Sequence, residues 1–121
     1  MNGRVRFCLL ATLVPAFVAA ADRDEVFAAQ ARAETALTAA DRDGARERAP
    51  ATLDVARTHA RAGAAAVARR AWTDARRAWE KAEADARLAA ARSRQLRAET
   101  TSAELEEAVA TLRTEIVESG E

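Results

Sequence analysis

The sequence predicts an all-α protein: a helical hairpin or a three-helix antiparallel bundle with coiled-coil-like seams. Alanine fills 30 of the positions from 22 to 121, and it has the highest helix propensity because it loses no side-chain rotamer entropy. Glycine occurs there only at positions 44, 63 and 120, and proline only at position 50. Apolar residues recur every three or four positions, which is the spacing of one helix face.

The first 21 residues have the layout of a secretory signal peptide. Two arginines precede an apolar run over residues 7–20, and the small side chains of Ala19 and Ala21 suit a signal peptidase pocket. The run is shorter than the roughly 20 apolar residues of a membrane-spanning helix. We therefore expect cleavage after Ala21, which leaves one periplasmic or secreted domain over residues 22–121. The alternative is an uncleaved anchor that holds the helices outside the membrane.

Charge and cysteine content exclude several classes of function. Residues 22–121 hold 17 basic and 19 acidic residues, a net charge of −2, which is no electrostatic footprint for nucleic acid or an anionic membrane. Membrane contact is expected only if the signal segment is retained. The single cysteine, Cys8, lies inside that segment and has no small-residue lipobox in front of it. The mature chain therefore has no disulfide and no thiolate metal site.

The first two helices are separated by a predicted turn. The first is expected over residues 22–40, with Gly44 as the left-handed residue that ends it and residues 46–49 as a polar connector. The second begins at Pro50, which suits a first helical turn. Gly63 lies within it, either as a weak point or as a site of close helix approach. Its seam consists mostly of small residues: Leu53, Ala56, Ala60, Ala64, Val67 and Ala71.

The third helix has the strongest periodicity, and its seam extends over about seven turns: Trp72, Ala75, Trp79, Ala82, Ala86, Ala89, Ser93 and Leu96. No glycine or proline separates it from the second helix, so one long rod is an alternative. We favour a hairpin, because the two tryptophans need packing partners. The residues from Trp72 to Ala89 in this seam are also the candidate surface for a partner.

A second apolar stripe follows out of register with the first: Leu105, Val109, Leu112 and Ile116. The change of register predicts a bend near residue 100 or the start of a fourth helix. Thr101 and Glu104 match a capping box, as a new helix would have; the alternative is one long C-terminal helix that bends near residue 100.

The sequence offers no readable catalytic or cofactor site. His59 is the only histidine, and we expect it to be solvated, because a zinc site needs several such ligands. Glu104, Glu106 and Glu107 fall on different helix faces, so we expect a solvated surface. Asp85 lies beside the third seam, where it either pairs with an arginine of the second helix or faces water. We predict that the protein is not an enzyme and holds no metal or cofactor.

Part of the chain resembles a bacterial envelope family known as domain of unknown function 4398. The resemblance covers about residues 28–91. It rests on Gly44-Ala45, Ala49-Pro50, Leu53, Ala56, Ala75, Ala78, Ala82, Asp85-Ala86 and Ala89. It implies a periplasmic helical hairpin, of a kind often lipid-anchored and sometimes joined to peptidoglycan-binding domains. This chain departs from that pattern in lacking the lipobox and such a domain, and the family supplies no catalytic residues.

Two functions follow from these observations. The first is a structural or protein–protein interaction module of the bacterial envelope, which self-associates or binds an envelope protein through a helical seam. The second is a binder of small apolar ligands or lipids, with a groove near Trp72 and Trp79.

Overall fold

A computed structural model describes residues 15–120, with side chains from residue 22 to residue 120. The described chain forms four helices, α1 (Pro15–Arg42), α2 (Ala45–Arg48), α3 (Pro50–Ala68) and α4 (Trp72–Ser119). The all-α prediction is confirmed. Helix α1 begins seven residues before the predicted start, because Pro15 suits a first helical turn and the alanines that follow favour helix. Most of the predicted signal segment, residues 1–14, lies outside the described residues.

Three long helices form an up-down-up bundle. Helices α1 and α4 run in the same direction, as the contacts of Glu25 with Arg76 and of Arg32 with Glu83 show. Helix α3 is antiparallel to both. The one-turn helix α2 lies at the end of the bundle where α1 is followed by α3. Residues 46–48 were expected in an irregular connector, but they belong to α2.

Small side chains fill most of the core between these helices. The buried residues are Val26, Ala29, Ala33, Ala36 and Ala40 of α1, Leu53, Ala56, Gly63 and Ala66 of α3, and Ala75, Trp79, Ala82, Ala86, Ala89 and Ala90 of α4. Alanine side chains allow neighbouring helices to approach closely, because a methyl group adds little thickness to a helix. In α3, the expected seam residue Ala64 is exposed, while Gly63 and Ala66 face the core in its place.

Trp79 is the one large aromatic side chain of this core, with 4 % of its surface exposed. Its indole lies against the α3 backbone at Gly63, where an added Cβ atom would stand 2.8 Å from the ring. Gly63 is therefore a site of close helix approach. The indole Nε1–H finds no hydrogen-bond partner among the described residues.

Two turns set the helix order. Gly44 takes φ +79° between α1 and α2, as the sequence predicts. Between α3 and α4 the amide of Ala71 donates to the Ala66 carbonyl and that of Arg70 to the Val67 carbonyl, both at 2.9 Å. This is a Schellman motif with Arg70 at φ +58° in the position that glycine usually takes. The hairpin between α3 and α4 is therefore confirmed, although no glycine or proline marks it.

Helix α4 continues unbroken through residue 100. One long C-terminal helix was among the expected alternatives and is confirmed, whereas the alternative of a fourth helix that begins near residue 101 is wrong. The Thr100 hydroxyl donates to the Leu96 carbonyl one turn earlier, as in a helix interior. The seam that begins at Trp72 ends because α4 leaves the bundle: Ser93 is the last buried residue of this helix. The apolar residues change register where α4 passes from the bundle into solvent.

Candidate interaction surface

The seam that the sequence offered as a partner surface packs inside the bundle. Its members are divided among three small clusters that join α4 to α1 and α3: Ala75, Trp79, Ala82, Ala86 and Ala89. Trp72 is half-buried at the edge of the first cluster, and the Arg23 guanidinium lies 6.0 Å from its ring centroid. In this fold these residues hold the chain's own helices together, so a surface for a partner must be sought elsewhere.

The C-terminal part of α4 extends beyond the bundle, and we name residues 94–119 the projection. Every residue of it is exposed, and at 1.5 Å per residue it is roughly 40 Å long. Four of its six large apolar side chains lie on one stripe, and Leu96 and Val117 lie off it. The four are Leu105, Val109, Leu112 and Ile116. Leu105 and Ile116 are 62 % and 69 % exposed, which is a high exposure for side chains of this size.

This stripe has the spacing of a coiled-coil seam. Steps of four, three and four place Leu105 and Leu112 at heptad position d and Val109 and Ile116 at position a. In parallel coiled coils, a β-branched residue at a with leucine at d favours two strands. The stripe thus has the pattern of a helix-packing surface, and no other described helix of this chain covers it.

Polar contacts hold the root of the projection, which we define as residues 92–94 of α4, against the bundle. The Ser93 hydroxyl, fully buried, donates to the backbone carbonyl of Asp43 in the α1–α2 turn. The Asp43 carboxylate forms an ion pair with the Arg94 guanidinium, with 3.2 Å between the two atoms. On the other side, the Arg92 guanidinium donates to the Thr52 hydroxyl at 2.9 Å. These contacts fix the direction in which α4 leaves the bundle.

A corner of charged side chains joins α1, α2 and α3. The Asp41 carboxylate accepts two hydrogen bonds from Arg46, at 2.9 and 3.0 Å, and one from Arg57 at 3.0 Å. The hydrogen bonds from Arg46 lower the pKa of Asp41, and the positive charges of Arg46 and Arg57 act in the same direction against partial burial. The same contact raises the pKa of Arg46.

Glu83 lies between two arginines on the surface of the bundle. The Glu83 carboxylate, mostly buried, contacts Arg32 at 3.2 Å and Arg87 at 2.6 Å, one guanidinium on each oxygen. A groove of about 580 Å³ between α1 and α4 has Arg32, Arg87 and Arg94 on its rim. Glu83 and Asp43 pair with these three arginines, so that two carboxylates compensate most of the positive charge.

His59 is not a freely solvated side chain. Its Nε2 atom lies 3.5 Å from a carboxylate oxygen of Asp85, and both side chains are about one-third exposed. Asp85 thus contacts α3, but its partner is a histidine where an arginine was one of the expected options. Within the described residues, no three histidine, cysteine or acidic side chains are grouped so as to hold a metal ion.

The glutamates of the projection are exposed, as the sequence predicts for Glu104, Glu106 and Glu107. The sequence-based expectations missed the contacts between helices, among them the Arg32–Glu83 pair and the Ser93 hydrogen bond. Each joins residues about fifty positions apart, so local spacing carries no signal for them.

Comparisons with protein-family models, with curated proteins and with solved structures find no match. The resemblance to domain of unknown function 4398 therefore stays a prediction from the sequence. In the part of the chain that the structure describes, no helix is both long and apolar enough to span a bilayer. The predicted cleavage site at Ala19 and Ala21 lies on the α1 backbone, in a stretch whose side chains the structure does not describe.

Proposed function

We propose that this chain is a periplasmic or secreted interaction protein of the bacterial envelope, in which the bundle is a platform and the projection is the binding element. The observation that carries the proposal is the exposed heptad stripe on the projection. Four large apolar side chains on one face of a helix mark an interaction site more often than an isolated exposed leucine does. The signal-like segment supports the location.

A photo-reactive amino acid in place of Leu112 tests the binding element in living cells. We expect crosslinks to one defined species from this position. The control is the same replacement at Thr114, which lies on the opposite face of the same helix turn and should give none. Equal or absent crosslinking from both positions would contradict the proposal.

The location is tested with a reporter enzyme that folds only outside the cytoplasm. Fused behind residues 1–21, it should be active, and mass spectrometry of the native protein should find Asp22 as the first residue. The matched variant Ala19→Phe, which is too bulky for the peptidase pocket, should retain the segment. An intact N-terminus in the unaltered protein would instead indicate an anchored form.

The second hypothesis, an apolar-ligand binder, now depends on Trp72. Trp79 is packed in the core, whereas Trp72 is half-buried beside the exposed Phe27, and Arg23 lies over both rings. In a Trp79→Phe background only Trp72 emits fluorescence. A blue shift on addition of phosphatidylethanolamine–phosphatidylglycerol vesicles would support this hypothesis, and an unchanged emission would remove it.

A further inference from the structure

The stripe of the projection needs one more helix, and the charges beside it indicate which helix that is. We infer that the projection pairs in antiparallel orientation with the projection of a second copy of this chain. The inference rests on the proposed function, because it assigns the occupant of the same surface. It is argued from the heptad positions of the stripe and from the charges that flank it.

Leucine at d and a β-branched residue at a allow the stripe to pack against itself. With a two-fold axis between residues 110 and 111, Val109 lies opposite Leu112 of the second copy, and Leu105 lies opposite its Ile116. Each layer then pairs one leucine with one β-branched side chain. Four such layers cover all the large apolar side chains of the stripe, which are otherwise in water.

The charges decide the orientation. Residues 98–120 contain six glutamates and a single base, Arg113, so the position of Arg113 limits which pairings are attractive. Arg113 and Glu106 both occupy heptad position e. In an antiparallel pair e residues lie beside e residues, which places Glu106 of each copy next to Arg113 of the other. Two attractive contacts result, and no like charges are brought together at these positions.

A parallel pair lacks these contacts. There the g residue of one helix faces the e residue of the next heptad on the other, so Arg113 would face Ala108 and Glu106 would face Thr101. The acidic helices would then be adjacent with no compensating pair. Because only four layers are formed, the antiparallel interface is at the small end of specific interfaces, and we expect a weak, reversible dimer.

A charge exchange across this pair tests the inference. The protein, purified as the cell produces it, is compared by sedimentation equilibrium with Glu106→Arg, Arg113→Glu and the double variant. Each single variant places like charges together at two contacts, and we expect the dimer to weaken about tenfold, equal to about 1.4 kcal/mol. The double variant restores both contacts and should return to within about twofold of the unaltered protein.

Glu107→Arg is the matched control, because position f lies away from the seam and the same charge change there should leave the dimer unaffected. Loss of the rescue, or equal dimerisation by both single variants and the unaltered protein, would overturn the antiparallel pair. A chain that stays monomeric at millimolar concentration would overturn it as well. In that case crosslinking from position 112 to a different protein would leave the proposed function standing, and its absence would remove both.

Discussion

The two halves of α4 use opposite kinds of side chain for contact. From Trp72 to Ser93 the helix is packed on two sides, and apart from Trp79 its buried apolar residues are alanines. From residue 94 to residue 119 it is exposed on every side and carries leucine, valine and isoleucine. Within α4, the buried apolar side chains are therefore mostly small, and the exposed stripe of the projection consists of large ones.

This difference shows that the size of an apolar side chain follows the distance to the neighbouring helix. Inside the bundle, α1 and α3 approach α4 closely, so a methyl group fills the gap and a larger side chain would force the helices apart. On the projection no helix is close, and only long side chains reach across the distance of a two-stranded coiled coil. We infer that the bundle half specifies the fold of the monomer and the projection half contacts a partner.

Trp79→Ala is the strongest test of the different roles of the two halves of α4. We expect a loss of about 3–5 kcal/mol in the free energy of unfolding, because a buried aromatic ring is removed from a core that has no side chain able to fill the space. Urea unfolding of dilute protein, followed by circular dichroism, measures it. Leu112→Ala on the projection is the control and should change that free energy by no more than about 0.5 kcal/mol. Similar losses for both variants would contradict the division of roles.

The second test acts on the projection. Leu112→Glu together with Ile116→Glu should weaken self-association by at least about 100-fold, because two charges would enter an apolar seam. The free energy of unfolding of the dilute chain should stay within about 0.5 kcal/mol of its original value. Sedimentation equilibrium and urea unfolding are measured on the same samples. A large loss of stability in the monomer would mean that the projection folds back on the bundle.

Gly63→Ala tests the close approach of α3 and α4. Helix propensity alone favours alanine by about 1 kcal/mol. The added methyl would lie 2.8 Å from the Trp79 indole, so we expect a net loss of about 1–2 kcal/mol. Thermal unfolding measures the change, and Trp79→Phe in the same chain should recover part of it because the smaller ring makes room. Stabilisation by Gly63→Ala alone would show that the two helices are less tightly packed.

The smallest expected effect concerns the charged corner beside the root of the projection. Asp41→Asn should cost about 1 kcal/mol at pH 7, because two arginines lose an ionised partner. The pKa of Asp41 is lowered in the folded chain, so its contribution is complete above its unfolded value of about 4 and is lost as the pH falls through the folded pKa.

The difference between Asp41→Asn and the unaltered protein should accordingly shrink as the pH falls below about 4. Asp54→Asn is the control: that carboxylate is 74 % exposed and 3.8 Å from Arg57, and its removal should have almost no effect at any pH. A pH-independent difference at Asp41 would show that packing, and not charge, stabilises the corner.

Most of the helices could be predicted from local signals. Alanine content and helical spacing indicated the class, Pro50 gave the start of α3, and Gly44 gave the left-handed turn. The turn after α3 carried no such signal, since Arg70 occupies the place of a glycine. Of the two alternatives near residue 100, the long continuous helix is confirmed, and the fourth helix is wrong because the change in the apolar stripe is not a change in the backbone.

The sequence alone determined the helical class and the left-handed turn at Gly44, because propensity and periodicity are properties of neighbouring residues. Only the tertiary structure decided which apolar stripe is core and which is free. It also decided that His59 contacts Asp85 and that Glu83 contacts Arg32. The physical reason is that helical spacing marks a face but not what covers it. The alanine stripe and the stripe of larger apolar residues both predict a helix. In the structure the first is buried in the bundle, which ends after Ser93, and the second is exposed beyond it.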